Sequence, residues 1–177
     1  INNEQYEIPG GVTLKNVTFI AKYRGHDYIW ITAGVGDTVV FEKCTIDKQV
    51  AGPSMTVVGA QSDGANFVFN NCTFKGPICP NFVEKAEGKS EFNYCTFDFS
   101  DGRRYGYVDC MGGQHTFTNC EFKYTGGSNM DSNSVVKANA INAYSESEYS
   151  TVVVLEDCTL INCSTVKYGP NSTLTVK

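Results

Sequence analysis

Short runs of alternating apolar and polar residues recur along the chain, and each run passes into a similar short phrase. An apolar residue is followed three positions later by Cys (by Val17 in the first copy), and two positions after that by Phe, Ile or Leu. The copies are Leu14–Phe19, Phe41–Ile46, Phe69–Phe74, Phe92–Phe97, Phe117–Phe122 and Leu155–Leu160. They recur at intervals of roughly 25 residues, which is typical of repeat proteins whose neighbouring units bury each other's apolar faces.

Each copy contains one position where the apolar alternation shifts its phase. Phe67 and Phe69 share one face of a predicted strand, whereas the next apolar pair, Cys72 and Phe74, is displaced by one position. This shift predicts a tight bend between two short strands. The residues at the bend are Asn16, Lys43, Asn71, Tyr94, Asn119 and Asp157. Asn suits a bend because it tolerates the left-handed backbone conformation and hydrogen-bonds nearby backbone groups.

A third short strand is predicted before each pair, with its central residue in the core. These strands are Trp30–Thr32, Thr56–Val58, Phe82–Glu84, Tyr107–Asp109, Val135–Lys137 and Thr165–Lys167. Three strands per unit, each parallel to its copies above and below, form a parallel β-helix, and parallel crossovers are overwhelmingly right-handed. We therefore predict an all-β fold, a right-handed parallel β-helix solenoid of about six to seven coils with three short strands per coil.

The length of 177 residues suits one domain that spans residues 1–177. Segments rich in Gly, Ser, Asp and Pro predict surface loops near residues 48–54, 75–80, 100–104 and 124–132, and an insertion at residues 139–150. Because the chain begins at Ile1 rather than Met, we expect a processed product or an excised domain.

Five of the eight cysteines occupy the same position of the repeat, and we expect them to form an inward-facing column. They are Cys44, Cys72, Cys95, Cys120 and Cys158. Neighbours in such a column lie roughly 4.8 Å apart, which is wider than the Cβ separation of about 3.8 Å in a relaxed disulfide. The column is therefore interpreted as packing of free thiols. The redox state of Cys79, Cys110 and Cys163 is left open.

The phrase Asn-Cys-Thr-Phe after a short apolar strand, as in Asn71–Phe74, resembles the pectate-lyase-like β-helix superfamily, and the resemblance covers nearly the whole chain. That superfamily includes polysaccharide lyases and hydrolases, phage tailspikes and fibres, and bacterial surface proteins. The resemblance implies the fold and an extracellular, cell-surface or virion setting. It implies no particular activity, because a fold hosts many functions.

Charge and hydropathy exclude two classes of partner. The formal net charge is −5 and the isoelectric point is near 5.0, whereas nucleic-acid binding demands a basic face. No apolar run approaches the length of a membrane span. We therefore expect neither a nucleic-acid partner nor membrane insertion.

The candidate site lies on the outward face of the third strand. Aromatic platforms for sugar rings are expected at Trp30, Phe82 and Tyr107, and candidate catalytic groups at Glu84, Asp109 and Lys137. Glu84 and Asp109 are expected about 5 Å apart, where they could repel each other or hold Ca²⁺. In β-helix lyases the corresponding face carries acidic calcium ligands and a basic residue that removes a proton. The resemblance therefore implies that such groups would lie on this face. The alternative is a solvated charge ladder that includes these three residues and Lys167.

Other signals of chemistry are few. His26 and His115 are too separate in sequence for a metal cluster, so no metal site is predicted, and His115 is expected to be a buried structural residue. The first hypothesis is a non-catalytic structural, adhesive or glycan-binding element. Its partners would be a glycan, further copies (a trimer included) or further coils of a longer protein. The alternative is a polysaccharide lyase that acts on acidic glycans. No cofactor is expected, except Ca²⁺ in the case of a lyase.

Overall fold

The computed structural model describes residues 4–21, 29–48, 56–58, 64–76, 78–80, 88–99, 107–124, 135–139, 150–168 and 170–177. These residues form β-strands, turns and bends, and none of them lies in a helix. The strands are β1 (Glu4–Glu7), β2 (Thr13–Lys15), β3 (Thr18–Ala21), β4 (Ile29–Thr32), β5 (Thr38–Glu42), β6 (Thr45–Lys48), β7 (Thr56–Val58), β8 (Asn66–Asn70), β9 (Thr73–Lys75), β10 (Ile78–Pro80), β11 (Lys89–Asn93), β12 (Thr96–Asp98), β13 (Tyr107–Met111), β14 (Gly113–Thr118), β15 (Glu121–Lys123), β16 (Val135–Asn139), β17 (Thr151–Glu156), β18 (Thr159–Ile161), β19 (Ser164–Tyr168) and β20 (Ser172–Val176).

Successive strands belong to three different parallel sheets. Sheet A has the order β1-β4-β7-β10-β13-β16-β19, sheet B has the order β2-β5-β8-β11-β14-β17-β20, and sheet C has the order β3-β6-β9-β12-β15-β18. Each strand therefore pairs with the strand three places later in the chain. Three successive strands, one from each sheet, make one repeat. The all-β, parallel and β-helix-like character of the fold agrees with the sequence prediction.

Phenylalanines at equivalent positions form two stacked ladders in the core. In sheet B the ring centroids of Phe69 and Phe92 are 5.0 Å apart, and those of Phe92 and Phe117 are 4.6 Å apart. In sheet C, Phe97 lies 4.6 Å from Phe122 with nearly parallel rings. The two ladders meet edge to face, for example Phe92 against Phe97 at 5.5 Å and 65°. These stacked and edge-to-face geometries are the favoured ones for aromatic pairs, so one ring position per strand builds a continuous core.

The predicted bends are confirmed in their backbone conformation. Every predicted bend residue has a positive φ between 52° and 56°, namely Asn16, Lys43, Asn71, Tyr94, Asn119 and Asp157. Each of them joins a strand of sheet B to the next strand of sheet C. Asn162, which the sequence analysis did not identify, has a φ of 53° and lies between β18 and β19.

The five cysteines of the expected column lie at equivalent positions in successive repeats. The five cysteines are free, four of them are buried, and Cys158 at the end of the column is half-buried. Each Sγ lies 3.3–3.5 Å from two carbonyl oxygens, one of them in the preceding repeat. Cys95 Sγ, for instance, contacts the carbonyls of Phe69 and Asn93. The hydrogen bond with Cys120, then that with Cys72 and burial, raises the pKa of the Cys95 thiol.

Sheet A differs from the prediction in one repeat. Its fourth strand is β10, Ile78–Pro80, whereas we expected Phe82–Glu84, which lies outside the described residues. The loop predicted at residues 75–80 is wrong, since these residues include the end of β9 and all of β10. The physical reason is that fully buried Ile78 pairs with Val108 and supplies the core residue that we assigned to Val83.

The register of sheet A also differs from the prediction at β7 and at β19. Thr56 rather than Val57 aligns with Ile78, and Thr165 rather than Val166 aligns with Val136. Most of the other predicted loops, and most of the insertion at 139–150, lie outside the described residues. Within the parts of the chain that the structure describes, no helix has the length and apolarity of a membrane span.

Candidate functional site

The predicted face of sheet A is described only in part. Trp30 lies on β4, Tyr107 and Asp109 lie on β13, and Lys137 lies on β16. Phe82 and Glu84 lie outside the described residues, so the expected pair of Glu84 and Asp109 is not among the described contacts. The position beside Asp109 on β10 is that of Cys79, because Ile78 aligns with Val108.

Asp109 and Lys137 are neighbours, as the sequence predicts. They are aligned on adjacent parallel strands, and neighbouring strands lie about 4.8 Å apart. Asp109 is half-buried. Burial, with a smaller contribution from the Asp109 carboxylate, raises the pKa of the Cys110 thiol well above its usual value. The expected continuation of the charge ladder is wrong, since Lys137 aligns with Val166 instead of Lys167.

The aromatic residues of this face do not form the expected single column. Trp30 aligns with Val57, and Val57 aligns with Cys79. Trp30 therefore occupies the same register position as Asp109, whereas Tyr107 lies two residues earlier along β13. Two strands, β7 and β10, separate β4 from β13, so with the offset of two residues Trp30 and Tyr107 lie on the order of 16 Å apart.

Charged side chains pair between repeats on sheets B and C. Lys15 lies 2.8 Å from Glu42, Lys75 lies 3.8 Å from Asp47, Lys123 lies 3.7 Å from Asp98, and Lys177 lies 3.7 Å from Glu156. Exposed ion pairs of this kind each contribute about 0–1 kcal/mol. The charge ladder that we considered for sheet A therefore has counterparts on sheets B and C.

A cleft at the corner between sheets A and B was not predicted. It has a volume of about 320 Å³ and is lined by Ile8, Pro9, Gly34 and Asp37. The corner is formed by two glycine-containing turns, in which Gly11 and Gly36 have φ values of 77° and 76°. The sequence signal for this corner is limited to the Gly34–Asp37 segment, in which two glycines and an aspartate are typical of a turn between strands.

Asp37 lies directly against backbone that carries no side chain. A Cβ on Gly10 would lie 2.3 Å from the Asp37 Cγ, and a Cβ on Gly34 would lie 2.7 Å from Oδ2. Thr13 aligns with Val40 on the neighbouring strand. Three residues earlier on each side, the same register places Gly10 beside Asp37. The Asp37 carboxylate thus fills the space that a side chain at Gly10 would need.

His115 is a fully buried polar residue on the inward face of sheet B, as expected. Its Nε2 donates a hydrogen bond to the carbonyl of Gly112, so Nδ1 is the unprotonated nitrogen. Nδ1 has no hydrogen-bond partner in the described part of the chain. Burial lowers the pKa of His115 to about 4. The imidazole is therefore neutral at physiological pH and belongs to the core.

Comparisons with known proteins do not assign this chain to a family. No protein-family model matches its sequence, and no curated protein or solved structure matches it either. In the described residues, no group of three or more His, Cys, Asp or Glu side chains could hold a metal ion.

Proposed function

We propose that this protein is a non-catalytic structural, adhesive or glycan-binding element, built as a right-handed parallel β-helix solenoid of about six to seven coils with three strands per coil. The observation that carries the proposal is the stacking of equivalent residues from one repeat to the next. Phe92 lies between Phe69 and Phe117 with almost parallel rings, and the thiols follow the same order.

Contacts between repeats supply the stiffness that such an element needs. Each strand of the three sheets is hydrogen-bonded to its copies in the neighbouring repeats, and paired charges such as Lys15 with Glu42 cross the same boundary on the outside. Resistance to bending is therefore distributed along the whole stack of strands rather than concentrated at one joint. A rod of this kind can hold a binding surface at a set distance from its attachment.

The setting belongs to the same proposal. The resemblance of the Asn71–Phe74 phrase to the pectate-lyase-like superfamily supports an extracellular, cell-surface or virion location. Partly buried apolar residues in the end repeats, such as Leu14 and Leu174, support contact with further coils or with another copy of the chain, a trimer included.

A glycan-binding experiment tests the first hypothesis. Immobilised neutral, amino and acidic polysaccharides are probed with the protein and with Trp30→Ala and Tyr107→Ala, because an aromatic residue is the side-chain type that provides a flat apolar surface for a sugar ring. We expect binding without turnover, weakened by about tenfold or more in at least one of these variants. Tyr94→Ala is the matched control, since Tyr94 is exposed at a bend between sheets B and C. No binding to any polymer, together with no self-association in light scattering, would refute the hypothesis.

The alignment of Asp109 with Lys137 favours a second candidate. A polysaccharide lyase needs a base that removes a proton beside a uronic acid, and carboxylates such as Asp109 and Glu84 could supply oxygen ligands for Ca²⁺. The assay follows the absorbance of unsaturated products from uronic-acid polymers with and without calcium. Activity that is lost in Lys137→Ala and kept in Lys177→Ala would establish the lyase and displace the first hypothesis. Absence of products across the panel would rule the lyase out.

A further inference from the structure

Asp37 occupies a position of sheet B that holds small buried residues in other repeats. Asp37 directly precedes β5, and the residue in the same place before β8 is Ala65, which is 4% exposed. Further along the sheet, this place holds the buried small residues Gly113, Thr151 and Ser172. Asp37 is the only one of the aligned residues named here that can carry a charge, and it lies against the first repeat, where Gly10 leaves space for it.

The carboxylate has no internal partner in the described residues. It is half-buried. No described residue donates a hydrogen bond to the carboxylate oxygens or forms an ion pair with them. Only the backbone of Asp37 is engaged: its N–H donates to the carbonyl of Gly34 at 3.0 Å, and its carbonyl accepts from Asn66 at 2.8 Å. A partly desolvated carboxylate is stabilised when a donor completes its hydrogen bonds, and this one faces the cleft.

Ile8 and Pro9 supply the apolar side chains among the described residues that line the cleft. Ile8 is buried and presents a small apolar surface, and Pro9 adds a rigid ring. The volume of about 320 Å³ lies at the lower end of the roughly 300–1,000 Å³ that is usual for small-molecule sites. One sugar ring matches this combination, because it offers an apolar face on one side and hydroxyl donors at its edge.

We propose that this cleft binds one ring of a neutral or amino sugar, with the Asp37 carboxylate accepting hydrogen bonds from a hydroxyl or ammonium group. This assignment rests on the proposed glycan-binding function and adds a site and a ligand class to it. An acidic sugar is excluded at this cleft by repulsion between carboxylates. A calcium ion would need about six to eight oxygen ligands, and one carboxylate supplies two.

The test is NMR of the isotope-labelled chain titrated with glucosamine, glucose and galacturonic acid. We expect amide shifts at residues 8–11 and 34–38 with glucosamine and, more weakly, with glucose, because a charged donor makes the stronger hydrogen bond. A dissociation constant on the order of 1 mM is usual for one sugar ring. Galacturonic acid should cause no shift there. Shifts with galacturonic acid alone, shifts confined to sheet A, or no shifts at all would overturn the assignment.

Two variants test the carboxylate and the space separately. Asp37→Asn keeps the shape and removes the charge, and should weaken glucosamine binding at least about tenfold and glucose binding less. Gly34→Ala would place a methyl group 2.7 Å from Oδ2 and displace the carboxylate, and should abolish binding of both sugars. Val35→Ala is the control in the same turn, because Val35 is 72% exposed and does not line the cleft.

The outcome separates this assignment from the proposed function. Polymer binding that depends on Trp30 and is unchanged in Asp37→Asn and Gly34→Ala would refute the corner site and leave the glycan-binding function standing. Unchanged glucosamine binding in both cleft variants would refute the site by itself. If Asp37→Asn fails to fold, as judged by its amide spectrum, Gly34→Ala decides the question.

Discussion

At the scale of single residues, one backbone conformation organises the fold. The bend after each sheet B strand requires a positive φ, which costs most L residues roughly 1–2 kcal/mol and Asn or Gly less. The chain places Asn there three times, but it also places Tyr94 in a bend at a φ of 55°. Tyr94 is 62% exposed, so little packing compensates for its backbone strain.

The bend conformation predicts opposite effects for two substitutions. Tyr94→Asn should raise the free energy of unfolding by about 0.5–1 kcal/mol, because Asn adopts this φ more easily. Asn71→Val should lower it by about 1–2 kcal/mol, since a β-branched side chain resists a positive φ. Urea denaturation at neutral pH measures both. Equal effects of the two substitutions would contradict the role assigned to the bend.

His115 predicts a dependence of stability on pH. Its pKa is about 4 in the folded chain and near 6.5 in the unfolded chain. Between these values the unfolded chain binds a proton that the folded chain does not, so the free energy of unfolding falls as the pH falls from 6.5 to 4. The contribution lost over this range is roughly 3 kcal/mol.

The variant His115→Leu isolates this contribution from that of the carboxylates. Its free energy of unfolding should change less between pH 7 and pH 4 than that of the unsubstituted chain, as measured by urea denaturation at each pH. Parallel pH profiles for the two chains would show that His115 is not the group responsible.

At the scale of the elements, the two phenylalanine ladders join sheets B and C. Phe92 stacks on Phe69 and Phe117 within sheet B and meets Phe74 and Phe97 of sheet C edge to face. A ring such as that of Phe92 therefore packs against the neighbouring strands of sheet B and also against strands of sheet C. Leu14 and Leu155 occupy the same ladder position near its two ends, so a branched aliphatic side chain also fits the column.

Substitutions at Phe92 should separate loss of volume from loss of aromatic stacking. Phe92→Ala should destabilise the fold by about 3–5 kcal/mol, because it leaves a cavity in the middle of the ladder. Phe92→Leu should cost about 1–2 kcal/mol, since most of the buried volume is retained. Denaturant unfolding gives both values. A similar loss for the two variants would mean that stacking, rather than volume, dominates at this position.

At the scale of the whole molecule, stability should vary along the stack. Central residues such as Phe69, Phe92 and Phe117 are fully buried, whereas Leu14 and Leu174 in the end repeats are only partly buried. In a repeat architecture each unit gains most of its stability from its immediate neighbours. The outer repeats, with fewer neighbours, should open first.

Hydrogen exchange can detect this gradient. Backbone amides of β8, β11 and β14 should exchange at least about tenfold more slowly than those of β2 and β20, because opening the centre disrupts two interfaces between repeats. Exchange followed by mass spectrometry at neutral pH resolves these segments. Uniform protection from β2 to β20 would indicate that the stack unfolds as one cooperative unit.

The sequence alone determined the bends, the column of thiols and the apolar ladders. These features repeat because each copy buries the same positions, so a local pattern such as Asn71–Phe74 specifies both the bend and the inward residues around it. The strands of sheet A carry no comparable bend signal and follow segments of unequal length. For that reason Phe82–Glu84 was a plausible strand in sequence, and only the pairing of Ile78 with Val108 identified β10.

The corner cleft was decided by tertiary structure. The sequence around Asp37 does not indicate a site. Gly10 and Pro9, taken by themselves, do not predict a cleft either. Parallel stacking of the first two repeats brings these distant residues together and leaves the carboxylate beside open space. Periodic burial can be recognised from a sequence because it depends on residues close in the chain, whereas a site between two turns depends on register and on the volume that glycines leave empty.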